Sequence, residues 1–192
     1  MIEIHNLTKS FGEHLVFKNL NLQFKKQEIH CILGKSGCGK TTLLHILMGL
    51  TKADEGSISG LPHEMTAVFQ ENRLLDEFSA VQNIQLACSD HIEEQDIINA
   101  LQEVGFTENI HIPTKQISGG MARRCAVVRA FIPESELIIL DEPLSNLDQE
   151  NQENVISFIK KYQKGRTIIA VMHDLEQAKS LTSNILYLSN YK

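Results

Sequence analysis

Apolar residues recur along this chain with two periods, and the switching between them predicts an α/β protein. Met1 to Leu7 and Leu20-Asn21-Leu22-Gln23-Phe24 alternate apolar and polar positions, as half-buried strands do. Glu28 to Leu33 is an apolar run that ends at Gly34. From Thr41 the spacing lengthens, and Leu43, Leu44, Ile46, Leu47 and Leu50 predict a helix. Gly56 to Ser59 and Met65 to Phe69 read as two further short strands.

The middle of the chain changes character. Ser79-Ala80-Val81-Gln82 is a capping box, in which the serine caps the third helical N–H and the glutamine reaches back. A second amphipathic helix carries Ile97, Ile98, Leu101 and Val104 on one face and stops at Gly105. Strands then resume at Glu136 to Leu140, Thr167 to Met172 and Ile185 to Leu188. Between them lie a helix over Asp148 to Gln163, with Val155, Ile156, Ile159 and Tyr162 inward, and a short one over Asp174 to Leu181. Alternating strands and helices imply a mainly parallel sheet, which binds ligands beyond its strand C-termini. The expected organisation is a single domain, 1–192, whose core of about 1–71 and 133–192 carries a helical lobe of about 72–132.

Composition narrows the class. The chain has 192 residues, 42% apolar and 22% charged, which suits one soluble domain with a sizeable core. A net charge of −6 lacks the basic stripe of a nucleic-acid binder, so no nucleic-acid partner is expected. No apolar run approaches the length of a membrane span, and Met1-Ile2-Glu3-Ile4-His5 is not a signal peptide. A cytoplasmic protein is expected, reaching a membrane only through a partner. Cys31, Cys38, Cys88 and Cys125 have no C-x-x-C spacing and read as reduced thiols.

Gly34-Lys35-Ser36-Gly37-Cys38-Gly39-Lys40-Thr41 fits G-x-x-x-x-G-K-S/T, between an apolar strand and a helix. The glycines let backbone N–H groups curl round phosphates, and the helix N-terminus adds partial positive charge. Lys40 then reaches the β- and γ-phosphates, Thr41 binds Mg²⁺, and Thr42 completes the nucleotide-binding set. Leu137-Ile138-Ile139-Leu140-Asp141-Glu142 is an apolar strand ending in two carboxylates. Asp141 is placed to hold Mg²⁺ and Glu142 to deprotonate the attacking water. The guanine-reading string N-K-x-D and the switch string D-x-x-G of GTPases are absent. Instead Ile117-Ser118-Gly119-Gly120-Met121 opens a helix with a good N-cap and two bare glycines, an anion-binding arrangement.

In that order and spacing the chain resembles the ABC ATPase family along essentially its whole length. Gln70 follows a strand as in the Q-loop, Ser118 to Met121 match the signature, and Asp141-Glu142-Pro143 match the Walker B region. Ser145-Asn146-Leu147-Asp148 is similar to the D-loop, and His173-Asp174 to the switch histidine. The resemblance implies a P-loop ABC ATPase fold, with a mainly parallel core, an N-terminal antiparallel β subdomain and the helical lobe. It implies head-to-tail pairing, with each ATP held between one chain's phosphate loop and the other's signature. Ser118 and Gly120 would then contact the partner's γ-phosphate, Gln70 would sense Mg²⁺ or water, and His173 would bond the γ-phosphate. Asp148 would lie at the dimer seam, where a plain helix cap is a second and compatible reading. Phe11 stands where the family stacks an aromatic on adenine, with a core phenylalanine as the rival reading.

The intact Ser118, Gly119, Gly120 and Glu142 imply a site competent for hydrolysis. Met121, where glutamine is commoner, and Phe69-Gln70-Glu71-Asn72-Arg73-Leu74-Leu75 resemble importers of the nitrate, sulfonate, taurine and thiamine-precursor type. The implied partners are a second ATPase subunit, most simply an identical one, and integral membrane permease subunits that hold the motor at the inner face of the cell membrane. An importer would add a solute-binding protein. The stretch with Arg73, Leu74 and Leu75 is where a permease helix would dock, against ordinary lobe packing as the alternative. An exporter-type motor and a soluble translation- or repair-type ABC ATPase are the competing functions; the single unit without heptads or a basic patch disfavours the latter. Ending at Lys192, soon after the last strand, the chain reads as a minimal motor.

Overall fold

The computed structural model describes residues 1–88 and 92–188, so the chain's end at Lys192 lies outside the described residues. The apolar runs read from the sequence become neighbouring strands. Strands β3 (Ile29–Leu33), β5 (Met65–Val68), β6 (Leu137–Asp141), β7 (Thr167–Met172) and β8 (Ile185–Tyr187) form one sheet in the order β5-β6-β7-β3-β8. Every pairing in it is parallel, in continuous register such as Leu140 opposite Ala170. The sheet has no polar face. Leu137, Ile139, Ile169 and Val171 pack on one side with Leu43, Leu44 and Leu47 of helix α1 (Lys40–Leu47). Ile138, Leu140, Ile168 and Ala170 pack on the other side against the remaining helices. Burial of both faces is what continuous rather than alternating apolar strands require.

A second, antiparallel sheet of order β2-β1-β4 covers the α1 side, built from β1 (Ile2–Phe11), β2 (His14–Phe24) and β4 (Glu55–Ser59). The expected antiparallel β subdomain is therefore present, but its strands are longer than alternation alone indicates. Register shifts between Ile4 and Leu7, Leu7 and Lys9, and Lys9 and Ser10 break the period of two in β1. Asn6 and Asn19 take left-handed φ values of 48° and 51° in these strands, as bulges demand.

Helices α2 (Ala80–Gln85), α3 (Glu94–Glu103) and α4 (Gly119–Phe131) bury Val81, Ile84, Ile97, Leu101 and Val127 with one another. The capping box is formed as read: Ser79 Oγ accepts from the Gln82 N–H, and Gln82 Oε1 accepts from the Ser79 N–H. Helices α5 (Gln149–Tyr162) and α6 (Leu175–Leu181) complete this layer. Among the described residues no helix is long and apolar enough to cross a membrane. All four thiols are free, and burial pushes those of Cys31 and Cys125 up to about 12.

Two expectations need correction. Helix α1 ends at Leu47, because Gly49 turns to φ 71° and leaves Leu50 exposed. In α5 the inward face is Val155, Phe158 and Ile159, while Ile156 and Tyr162 are only half-buried at its margin. Phe158 is 1% exposed, edge-on to Phe131 and stacked on Tyr162. Phe158→Ala should therefore cost about 3–5 kcal/mol of unfolding free energy. Ile156→Ala should cost less than half as much; equal losses in urea melts of the two variants would reject this orientation of α5.

Candidate active site

Parallel strands end on a common edge, so the segments after β3, β5, β6 and β7 lie side by side. These are the glycine-rich loop, Gln70, Asp141-Glu142 and His173. All but Asp141 open onto a cavity of about 500 Å³ lined by Phe11, Ser36, Gly37, Gly39, Lys40, Thr41, Thr42, Gln70, Glu142 and His173. That volume suits a small-molecule ligand.

The loop's shape comes from its glycines. Gly39 caps α1 at φ 100°, and a Cβ there would sit 2.4 Å from Val16 Cγ1, so another residue would be strained and would have to push the Val16 side chain aside. No side chain caps α1, so its first N–H groups stay open to an anion. Cys38 folds inward, its Sγ 2.5 Å from where a Cβ at Gly34 would lie, while Lys35 is exposed. Lys40 is buried, and its Nζ donates to the carbonyls of Gly34 at 2.7 Å and Lys35 at 3.2 Å.

Thr41 Oγ1 donates to Asp141 Oδ2 at 2.9 Å and ties the loop to the end of β6. Burial raises the Asp141 pKa, opposed by the Thr41 hydrogen bond; the Glu142 charge raises it further, while His45 and Arg123 lower it. Glu142 adopts a left-handed φ of 50°, with its N–H donating to Val171 O and its carbonyl accepting from the Ser145 N–H. A non-glycine residue held there marks strain imposed by its surroundings. Its carboxylate lies 3.6 Å from His173 Nδ1.

Phe11 is 54% exposed at the cavity rim, with the Lys9 ammonium 4.9 Å from its ring centre, which excludes the core reading. His14 and Val16 also line the cavity and were missed in the sequence. The signal was the Gly12-Glu13 turn, which pairs His14 with Phe11.

Ser118, Gly119, Gly120, Met121 and Asp148 do not line this cavity. Ser118 caps α4 by accepting from the Met121 N–H at 3.2 Å, and Gly119 has open space where a Cβ would be. A Cβ on Gly120 would meet Asn146 O at 3.2 Å, so the signature backs onto the loop before α5. Asp148 caps α5 through the Asn151 N–H, and that bond lowers its pKa. A second cavity, of about 480 Å³, is lined by Phe131, Tyr162 and Arg166. The Arg166 guanidinium there is committed to the carbonyls of Phe131, Pro133, Tyr162 and Gln163, which leaves it little to offer a ligand.

A family model described as ABC transporter matches residues 17–145. A spermidine/putrescine import ATP-binding protein of Acetivibrio thermocellus is 33% identical over 99% of this chain, which spans 59% of that relative's length. A phosphonates import ATP-binding protein of Fusobacterium nucleatum is 30% identical over 99% of this chain and 89% of its own. An aliphatic sulfonates import ATP-binding protein of Frankia alni is 33% identical over 97% of this chain and 76% of its own. Among solved structures, a dimeric ATP-binding cassette in a post-hydrolysis state with ADP and Pi matches with a TM-score of 0.84 and 27% identity, over 97% of this chain and 94% of that one. A dimeric bacterial ABC transporter cassette matches with a TM-score of 0.86.

A carboxyl whose folded-state pKa is raised destabilises the fold at neutral pH, and the penalty is relieved as pH falls through the raised value. Asp141→Asn keeps an acceptor for Thr41 and removes the buried charge. The ligand-free variant should melt above the parent at pH 7. The gap should narrow as pH falls; a variant that melts below the parent would show that Asp141 is stabilised by its neighbours instead.

Proposed function

The chain belongs to the ABC transporter family, and on that premise we propose that it is the ATP-hydrolysing motor subunit of an importer, working as a head-to-tail pair beneath separate membrane subunits. One observation carries this reading. The cavity gathers the phosphate loop, Glu142, Gln70 and His173, with Asp141 tied to the loop behind it through Thr41, while the chain's own Ser118-Gly119-Gly120 terminus lies outside the cavity, Ser118 and Gly119 exposed and Gly120 half-buried. Such a half-site is completed by a second copy across a two-fold axis, which makes two sites at once.

In each site the loop N–H groups and α1 hold the phosphates, and Lys40 exchanges its two carbonyl partners for β- and γ-phosphate oxygens. Phe11 stacks on the adenine. Thr41, Asp141 and Gln70 offer a hydroxyl, a carboxylate and an amide oxygen, hard donors that fit Mg²⁺. When bound, Mg²⁺ offsets the charge of the phosphates. Glu142 takes the proton of the attacking water, and His173 beside it holds the γ-phosphate. Ser118 and Gly120 close the partner's site, with Asp148 at the seam.

Relatives named as import ATP-binding proteins favour an importer. The leaning drawn from Met121 is matched by the sulfonate relative, while polyamine and phosphonate relatives are as similar, so cargo is assigned to the permease and a solute-binding protein. Residues of about 72–132 are assigned as the helical lobe carried by the core of about 1–71 and 133–192. Leu75, Phe78 and Leu86 are exposed apolar residues at the lobe's surface and suit docking of a permease helix, which would hold the motor at the membrane's inner face.

Glu142→Gln retains the shape of the site without its base. Hydrolysis should fall about 10²–10⁴-fold. ATP should bind at least as tightly, and a dimer should accumulate in Mg²⁺-ATP on size exclusion. Near-parental turnover in single-turnover assays would move the base elsewhere.

A further inference from the structure

Helix α4 begins at the signature and carries three arginines, two of which converge on the segment after β5. Arg123 is 3% exposed, and its guanidinium donates to Phe69 O at 2.7 Å and to Gln70 O. Arg129 donates to Asn72 O at 2.8 Å and Arg73 O at 2.6 Å. Four of the five carbonyls from residue 69 to residue 73 therefore end on one helix. The segment lies between β5 and α2 and includes Arg73 at φ 47°. Its carbonyls lack a strand ladder, and the helix supplies the donors they need.

Packing alone does not account for this arrangement. A buried arginine is costly, and an apolar side chain of similar volume often stabilises more. Burial pushes Arg123 below the usual arginine range, while the charges of Asp141 and Glu142 pull it back up. Its Nε is buried without a partner. Arg124, the third arginine, faces the other way, to the carbonyls of Val104 and Gly105 and to Asn151, which also bonds Asp148. The helix is thus clamped on one flank to the Gln70 segment and on the other to the start of α5.

We propose that Arg123 and Arg129 are positioning residues that latch Gln70 to the signature helix. Nucleotide sensing at Gln70 in one site and presentation of Ser118 to the other then become one motion. The inference rests on the paired-site reading above. A lysine could supply the charge beside Asp141 and Glu142 but not the fork that spans two carbonyls.

The test is amide hydrogen exchange on the full chain carrying Ser118→Arg, which stops α4 from engaging a partner's nucleotide. Mg²⁺-ATP should slow exchange both at residues 69–73 and in the first two turns of α4. Adding Arg123→Gln with Arg129→Gln should keep the first response and remove most of the second. Without nucleotide, exchange at residues 70–74 should rise about tenfold, the effect of losing a net hydrogen bond or so. Arg123→Lys should resemble the glutamine variant. A persisting α4 response, unchanged nucleotide-free exchange, or parental behaviour of Arg123→Lys would each overturn the latch. If ATP slows exchange nowhere, the nucleotide reading fails, and the nucleotide-free comparison still decides the latch. Should the double variant not fold, Arg129→Gln alone carries the same comparison.

Discussion

A parallel sheet buried on both faces can place polar chemistry only where its strands end, and the rest of this structure follows from that constraint. The central strands β6 and β7 leave no side chain free along their length. Each strand instead hands over to a polar segment at its C-terminus, and the order β5-β6-β7-β3 sets those segments side by side. Gln70, Glu142, His173 and Lys40 are far apart in sequence, yet parallel register makes them neighbours. The antiparallel sheet adds the remaining wall, because β1 and β2 turn at Gly12-Glu13 and bring Phe11, His14 and Val16 over the loop.

The same constraint bears on the paired-site reading proposed above. Helix α4 lies on the opposite face of the sheet from α1, within the core layer of Ile138 and Leu140. Its N-terminus, capped by Ser118, cannot reach the cavity without unpacking that layer. If that N-terminus binds an anion as proposed, it would serve another molecule's pocket, and a two-fold pair would use both halves equally.

Much of this was legible in the sequence, for reasons that can be stated residue by residue. Continuous apolar runs such as Leu137 to Leu140 identify central parallel strands, and the motif residues follow them because strand ends are where polar residues become possible. Ser79, Ser118 and Asp148 were readable as caps because a cap is a local interaction, and all three cap in the structure. What escaped was set by distant partners. The bulges at Asn6 and Asn19 hide the alternation of β1 and β2, so the Gly12-Glu13 turn was the one pointer to His14 and Val16. Phe158 turns inward because Phe131 and Tyr162 meet it, which helical period alone does not fix. Arg123 and Arg129 look like ordinary polar positions until the carbonyls of residues 69–73 are seen to need donors.

The placement of buried charge is what makes the ligand-free site receptive. Lys40 and Asp141 stand on adjoining elements and could neutralise each other, but they do not. Lys40 donates to the loop's own carbonyls, and Asp141 receives a neutral hydroxyl from Thr41. Had the two formed a buried ion pair, a nucleotide would have to break it before binding, a loss of several kcal/mol for each partner left unpaired. Carbonyls and a hydroxyl are weaker partners, which the phosphate and the hard cation proposed above would displace more readily. Arg123 then has a reason to lie where it does. Its charge opposes the burial that raises the Asp141 pKa, and Arg123 itself does not line the cavity. Lys40 and Arg123 both donate to backbone carbonyls and Asp141 accepts from a hydroxyl, neutral partners in all three cases.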